Sequence, residues 1–235
     1  MNDLIRQSAP ILILLVVCAL IIGGIVWLMG GGVKSSEAEL ANSTETLPAP
    51  LKAEALKAYN VKTTNSMNPI AVINTNKGTI EVELFEDTMP ITAGNFAKLA
   101  NEGFYNGTKF HRVIEGFMIQ GGDPITKTNE TLRYGTGGPD YAIQDEHIKS
   151  SLLTNVRGTI SMANSGPNSG GSQFFINLVD NQNLDFDKPP LSSKHPVFGR
   201  VIAGMDVVDM IGQVETNPGS LPLEDIVVES VTIRR

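Results

Sequence analysis

From Pro69 to the C-terminus, apolar patterning comes only in short runs rich in Val, Ile, Phe and Thr, which Gly, Pro and Asn interrupt again and again. Such punctuation suits many short strands joined by turns. Ala71-Val72-Ile73-Asn74 leads through a turn at 75–78 into Thr79-Ile80-Glu81-Val82-Glu83-Leu84, where three apolar residues alternate with two glutamates. That period of two predicts a strand hairpin with one wet face. Further strands are expected within 158–162, 173–177, 196–201 and 226–233. Helical spacing occurs twice. Thr88 is placed to cap a helix with Pro90 in its first turn, Phe96, Leu99 and Ala100 on one face and Gly103 at its end. A second helix is expected around 205–211. Many short strands with two helices predict a mainly β fold, a closed antiparallel barrel whose ends the helices plug.

The N-terminal part has a different character. No charged side chain occurs between Gln7 and Val33, and 11–32 is almost wholly apolar. About 20 helical residues at 1.5 Å each match a hydrocarbon core of roughly 30 Å. The apolar stretch outruns the roughly 7–15 residues usual in a cleaved signal peptide, so a retained transmembrane helix is expected. A lipid anchor on Cys18 fits less well, because Val17 stands where a small residue is wanted. The organisation read from the sequence is a short tail (1–10), a membrane anchor or uncleaved signal (11–32), a stalk rich in Ser, Ala, Glu, Thr, Asn and Pro (33–68) and a globular domain (69–235). The short tail places the domain outside the cytoplasm, on a single-pass anchor.

The net charge is −7. Arg6 and Asp3 cancel, so the part after the anchor carries the same charge, which argues against nucleic acid as a partner. With one cysteine in the chain, no intrachain disulfide can form.

Two blocks carry the chemistry. The first is Phe110-His111-Arg112-Val113-Ile114-Glu115-Gly116-Phe117-Met118-Ile119-Gln120-Gly121-Gly122-Asp123, one arginine among large apolar groups followed by a glutamine and a glycine pair. The second, Met162-Ala163-Asn164-Ser165-Gly166-Pro167-Asn168-Ser169-Gly170-Gly171-Ser172-Gln173-Phe174-Phe175-Ile176, follows in the expected order. Together they resemble the two signatures of the cyclophilins. The resemblance covers 69–235 and implies an eight-stranded antiparallel barrel capped by two helices, acting as a peptidyl-prolyl cis-trans isomerase on proline-containing polypeptides. The loop at 135–139 and the stretch 180–187 are closer to bacterial and archaeal members.

By the same resemblance Arg112 is the catalytic residue. Its guanidinium stays charged and offers donors in a rigid fork, suited to a prolyl nitrogen whose lone pair is freed only in the twisted state. The alternative for an isolated arginine is a surface salt bridge. The resemblance assigns the proline slot to Phe117, Met118, Phe175 and Leu184, and backbone hydrogen bonding to Gln120, Ala163, Asn164 and Gln173. His195 borders the slot, and His111 precedes the arginine. Read alone, the apolar members would be core, and Phe174 should face away from Phe175. His111, His147 and His195 lack zinc-ligand spacing, and neither metal nor cofactor is expected. Asp145-Glu146-His147 and Gly135-Thr136-Gly137-Gly138 read as loop structure, not as a metal cluster and a phosphate loop. Asn183 stands where eukaryotic relatives carry a tryptophan that contacts cyclosporin, so weakened cyclosporin binding is expected. The competing functions are a non-catalytic module that holds proline segments, which loss of the arginine would favour, and a general folding chaperone, which would need a broad exposed apolar surface.

Overall fold

The computed structural model describes residues 68–189, 191 and 194–235. The expected anchor at 11–32 lies outside them, as does all of the expected stalk except Asn68. That residue already belongs to the domain, its side-chain amide donating to Glu83 at 3.3 Å. Among the described residues no helix is long and apolar enough to cross a membrane.

Eight strands form one sheet: β1 (Ile70–Thr75), β2 (Gly78–Leu84), β3 (Arg112–Ile114), β4 (Met118–Gly121), β5 (Thr159–Met162), β6 (Phe174–Asn177), β7 (Val197–Ala203) and β8 (Val228–Arg234). They run in the order β3-β4-β6-β5-β7-β2-β1-β8, and all neighbours are antiparallel. The sheet curls into a half-barrel. Its two ends meet just ahead of the edge strands, where Phe110 N–H donates to the Ile226 carbonyl at 2.9 Å and Val228 N–H to that of Thr108 at 2.8 Å. The hairpin expected at 71–84 is present, with Thr75 paired to Gly78 across a two-residue turn. Only glycine fits there, since its φ is +136° and a Cβ would lie 2.8 Å from a Val207 methyl.

Helix α1 (Pro90–Asn101) packs on β7 and β8, and α2 (Met205–Gly212) on β2, β3 and β4. Inside, Phe96 stacks on Tyr105 at 4.8 Å and meets Phe174 edge-on at 5.4 Å, while Phe110 meets Phe174 at 6.0 Å. Each such ring withdraws enough apolar surface to stabilise the fold by about 1.5–3 kcal/mol. The helix ends where expected. Gly103 takes φ +70°, and the N–H groups of Gly103 and Phe104 donate back to the Ala100 and Leu99 carbonyls, both at 2.9 Å. This double bond pattern is a Schellman stop.

Two expectations are corrected. Thr88 does not cap α1, because the N-cap position is Met89 and no side chain of its own segment caps the helix. The free N–H groups of Ile91 and Thr92 donate instead to the Glu146 carboxylate at 3.0 and 2.6 Å. An anion from a distant loop meets the positive end of the helix and fulfils the capping function. Nor is the outer face of β2 wet throughout. Glu83 is buried against Arg200 of β7, with oxygen–nitrogen distances of 2.8 and 2.9 Å. A carboxylate can be withdrawn from water when a guanidinium satisfies it at two points.

Candidate active site

The alternation of the strands sorts core from site. Arg112 is paired with Gln120 across β3 and β4, and Gln120 with Phe175 across β4 and β6. Residues directly opposite share a face, so Arg112, Gln120, Phe175 and, two places along, Met118 lie on the outer side of the sheet. Their neighbours Val113, Ile119, Phe174 and Ile176 are buried in the main core. Phe174 and Phe175 therefore divide as the sequence predicts. Gly116 at φ +67° turns the short β3–β4 connection and presents Phe117 to the same side.

This outer face bears a second apolar cluster of Met118, Phe175 and Leu184, against which Phe117 and Ala163 pack. Above it opens a cavity of about 480 Å³. His111, Arg112, Phe117, Met118, Gln120, Ala163, Asn164, Phe175, Leu184 and His195 all border it. Among the expected site residues, Gln173 alone does not. Its amide accepts from Gln120 at 3.0 Å and donates to the Gly137 carbonyl at 2.8 Å. Sequence reasoning missed Thr131, Tyr134, Gly135, Gly219 and Leu221, which complete the wall on the arginine side. They come from two irregular segments with no periodicity to mark them. The second is fixed to β3 by Val113 N–H donating to the Ser220 carbonyl at 2.8 Å.

Arg112 is exposed at the cavity edge, and its guanidinium donates to Gln120 at 3.3 Å. Among the described residues no ion pair engages it, so the salt-bridge alternative is not met. His195 lies edge-on to Phe175 at 5.4 Å, with Nδ1 3.1 Å from the Met162 carbonyl. A carbonyl only accepts, so Nδ1 carries the proton and Nε2 is the free nitrogen. Burial lowers the His195 pKa against the pull of the Met162 carbonyl and Asp145. His111 is buried with neither ring nitrogen at hydrogen-bond geometry. Its pKa too is lowered, chiefly by burial, which outweighs the opposing pull of Asp123 and the Lys109 carbonyl; the Arg112 charge lowers it further.

The glycine loop at 135–138 does bind an anion, but an internal one. The fully buried Asp123 carboxylate accepts from the N–H groups of Ile125, Gly135 and Gly137 at 2.7, 2.6 and 3.2 Å. A Cβ on Gly137 would collide with that carboxylate. Asn183 is exposed and does not border the cavity. Among the described residues no group of three or more His, Cys, Asp or Glu is arranged to hold a metal ion.

An apolar slot beside a cationic donor that has no ion-pair partner among the described residues is suited to twisting an amide. Comparison with known proteins leads to the same place. The family described as "Cyclophilin type peptidyl-prolyl cis-trans isomerase/CLD" matches residues 70–233. The Arabidopsis thaliana peptidyl-prolyl cis-trans isomerase CYP18-1 is 45% identical over 161 residues, covering 68% of this chain and 93% of the relative. The mouse peptidyl-prolyl cis-trans isomerase-like 1 is 41% identical over 162 residues, covering 67% and 88%. The crystal structure of a Cryptosporidium parvum cyclophilin-type isomerase, obtained in the presence of the dipeptide Ala-Pro, is 30% identical with a TM-score of 0.60, covering 71% of this chain and 99% of that one. The chain belongs to the cyclophilin-type peptidyl-prolyl cis-trans isomerases.

Proposed function

We propose that Arg112 is the donor that accelerates rotation of X-Pro bonds, with the substrate ring in the slot formed by Phe117, Met118, Phe175 and Leu184 and bordered by His195. Amide resonance sets an uncatalysed barrier of about 18–20 kcal/mol. In the twisted state the prolyl nitrogen regains its lone pair and can accept a hydrogen bond that the planar ground state cannot. A guanidinium fixed near that nitrogen lowers the barrier selectively, because it interacts more strongly with the twisted form than with either planar one. The observation that carries this reading is the exposed guanidinium of Arg112, without an ion-pair partner among the described residues, at the edge of an apolar cavity. His111, Gln120, Ala163 and Asn164 would orient the peptide.

Isomerisation of an Ala-Pro-Phe peptide by the full chain, native against Arg112→Ala, tests it. Loss of one such donor should lower kcat/KM by about 100-fold or more. Arg112→Lys should restore little, because a hydrated point charge does not reproduce the rigid fork. An Arg112→Ala chain with undiminished activity would overturn the assignment.

The reading extends to setting. Residues 11–32 act as a single-pass anchor holding the domain outside the cytoplasm, supported by the uncharged run from Gln7 to Val33. Features at 135–139 and 180–187 support a prokaryotic type of cyclophilin. Asn183 in place of the tryptophan of eukaryotic relatives weakens cyclosporin binding while leaving the proline slot intact. A titration showing tight, stoichiometric inhibition by cyclosporin would refute that last point.

A further inference from the structure

The resemblance gives Gln173 a direct grip on the substrate, but its side chain does not border the cavity and both ends of its amide are hydrogen-bonded within the protein. We propose that Gln173 is a positioning residue that acts through Gln120 on Arg112, an inference that rests on the catalytic reading of Arg112. Three hydrogen bonds run in one direction, from Arg112 Nη1 to Gln120 Oε1 at 3.3 Å, from Gln120 Nε2 to Gln173 Oε1 at 3.0 Å, and from Gln173 Nε2 to the Gly137 carbonyl at 2.8 Å. The chemistry of the two ends fixes that direction. A guanidinium only donates and a peptide carbonyl only accepts, so each amide between them has one orientation that satisfies both its neighbours. Links aligned this way polarise one another and strengthen together.

The far end is anchored rather than loose. Gly137, whose carbonyl receives Gln173, also donates its own N–H to the buried Asp123 carboxylate at 3.2 Å, within the loop wrapped on that group. The near end is the reverse, a long and exposed guanidinium with Gln120 as its hydrogen-bond partner. Gln120 is only half-buried. Removing Gln173 would leave the Gln120 amide held by the exposed arginine alone. The chain thus ties a loop anchored on a buried carboxylate to a solvent-exposed donor, and Gln173 stands behind the cavity wall to which Gln120 and Arg112 contribute.

The test is Gln173→Met in the full chain, a side chain of similar length without donor or acceptor. One lost hydrogen bond in the chain should lower kcat about fivefold, with KM for the peptide little changed. In the substrate-free protein the NMR resonances of the Arg112 guanidinium and the Gln120 amide should shift. The double variant with Gln120→Met should be no slower than Gln120→Met alone, because both break the same relay. Gln120→Met also approaches the relay from its exposed side should Gln173→Met fold poorly. A rise in KM with kcat and resonances unchanged would make Gln173 a substrate contact and overturn the proposal, as would additive losses in the double variant. The resonances are read without substrate, so a dispensable Arg112 would refute its catalytic role without moving them. Unchanged resonances would refute the relay while leaving Arg112 its role.

Discussion

Two single residues, His111 and His195, give this protein a pH-dependent stability. His111 and His195 both have pKa values lowered from the ordinary 6.5, chiefly by burial. In the unfolded chain they take up protons near 6.5, but in the folded protein only at lower pH. Across that window the unfolded state binds more protons, so stability is complete above about 6.5 and is lost as pH falls through the folded values. The urea midpoint should therefore drop between pH 7.5 and pH 5, and His111→Gln should flatten the profile. A native profile level across that range would show that neither histidine is held neutral. It was the resemblance to the two signatures that pointed to Arg112 and to the apolar residues now seen at one cavity, since Phe117, Met118, Phe175 and Leu184 read alone would have been core. The lowered pKa of His111 was not legible, since it depends on burial by segments far apart in sequence.

At the scale of elements, what the sequence conceals is how one segment completes another. The Schellman stop of α1 was readable at Gly103 because every participant is local. Its N-terminal cap was not, because Glu146 lies 55 residues from Ile91. Glu146→Ala should cost about 1 kcal/mol, read as a lower urea midpoint, with isomerase activity unchanged at temperatures where the fold holds. Thr88→Ala should cost almost nothing by the same assay. Strand β6 offers a sharper division, since adjacent phenylalanines serve opposite faces. Phe174→Ala opens a cavity in the aromatic core and should cost about 3–5 kcal/mol. Phe175→Ala only enlarges a space already open to solvent, so it should destabilise less while raising KM for proline peptides. Equal unfolding penalties for the two would contradict this assignment of faces. The period-two alternation made that division legible in advance. The burial of Glu83 escaped it, because alternation says which way a side chain points and not what covers it.

At the scale of the domain, the cavity lies on an outer face of the half-barrel, and its apolar cluster is separate from the core. All residues lining the cavity belong to the domain, so on the proposed anchor reading deletion of 1–32 should move the protein from the membrane to the soluble fraction with kcat/KM unchanged. Fractionation and a peptide assay on the same preparations check both halves, and a full chain found in the soluble fraction would remove the anchor. The mainly β class and the two helices were legible because they rest on periodicity and local signals, whereas the expected closed barrel is a half-barrel and the cavity floor was reached only through the resemblance. The wall formed by Thr131, Tyr134, Gly219 and Leu221 was not, because irregular loops carry no period. The Ser220 carbonyl, which holds the N–H of Val113, has a bearing on how clients are caught. Strand β3 is an edge of the sheet, and exposed edges invite other chains to add themselves as further strands, productively in recognition and destructively in aggregation. With that donor already taken, an unfolded chain finds no ready ladder to extend beside Arg112.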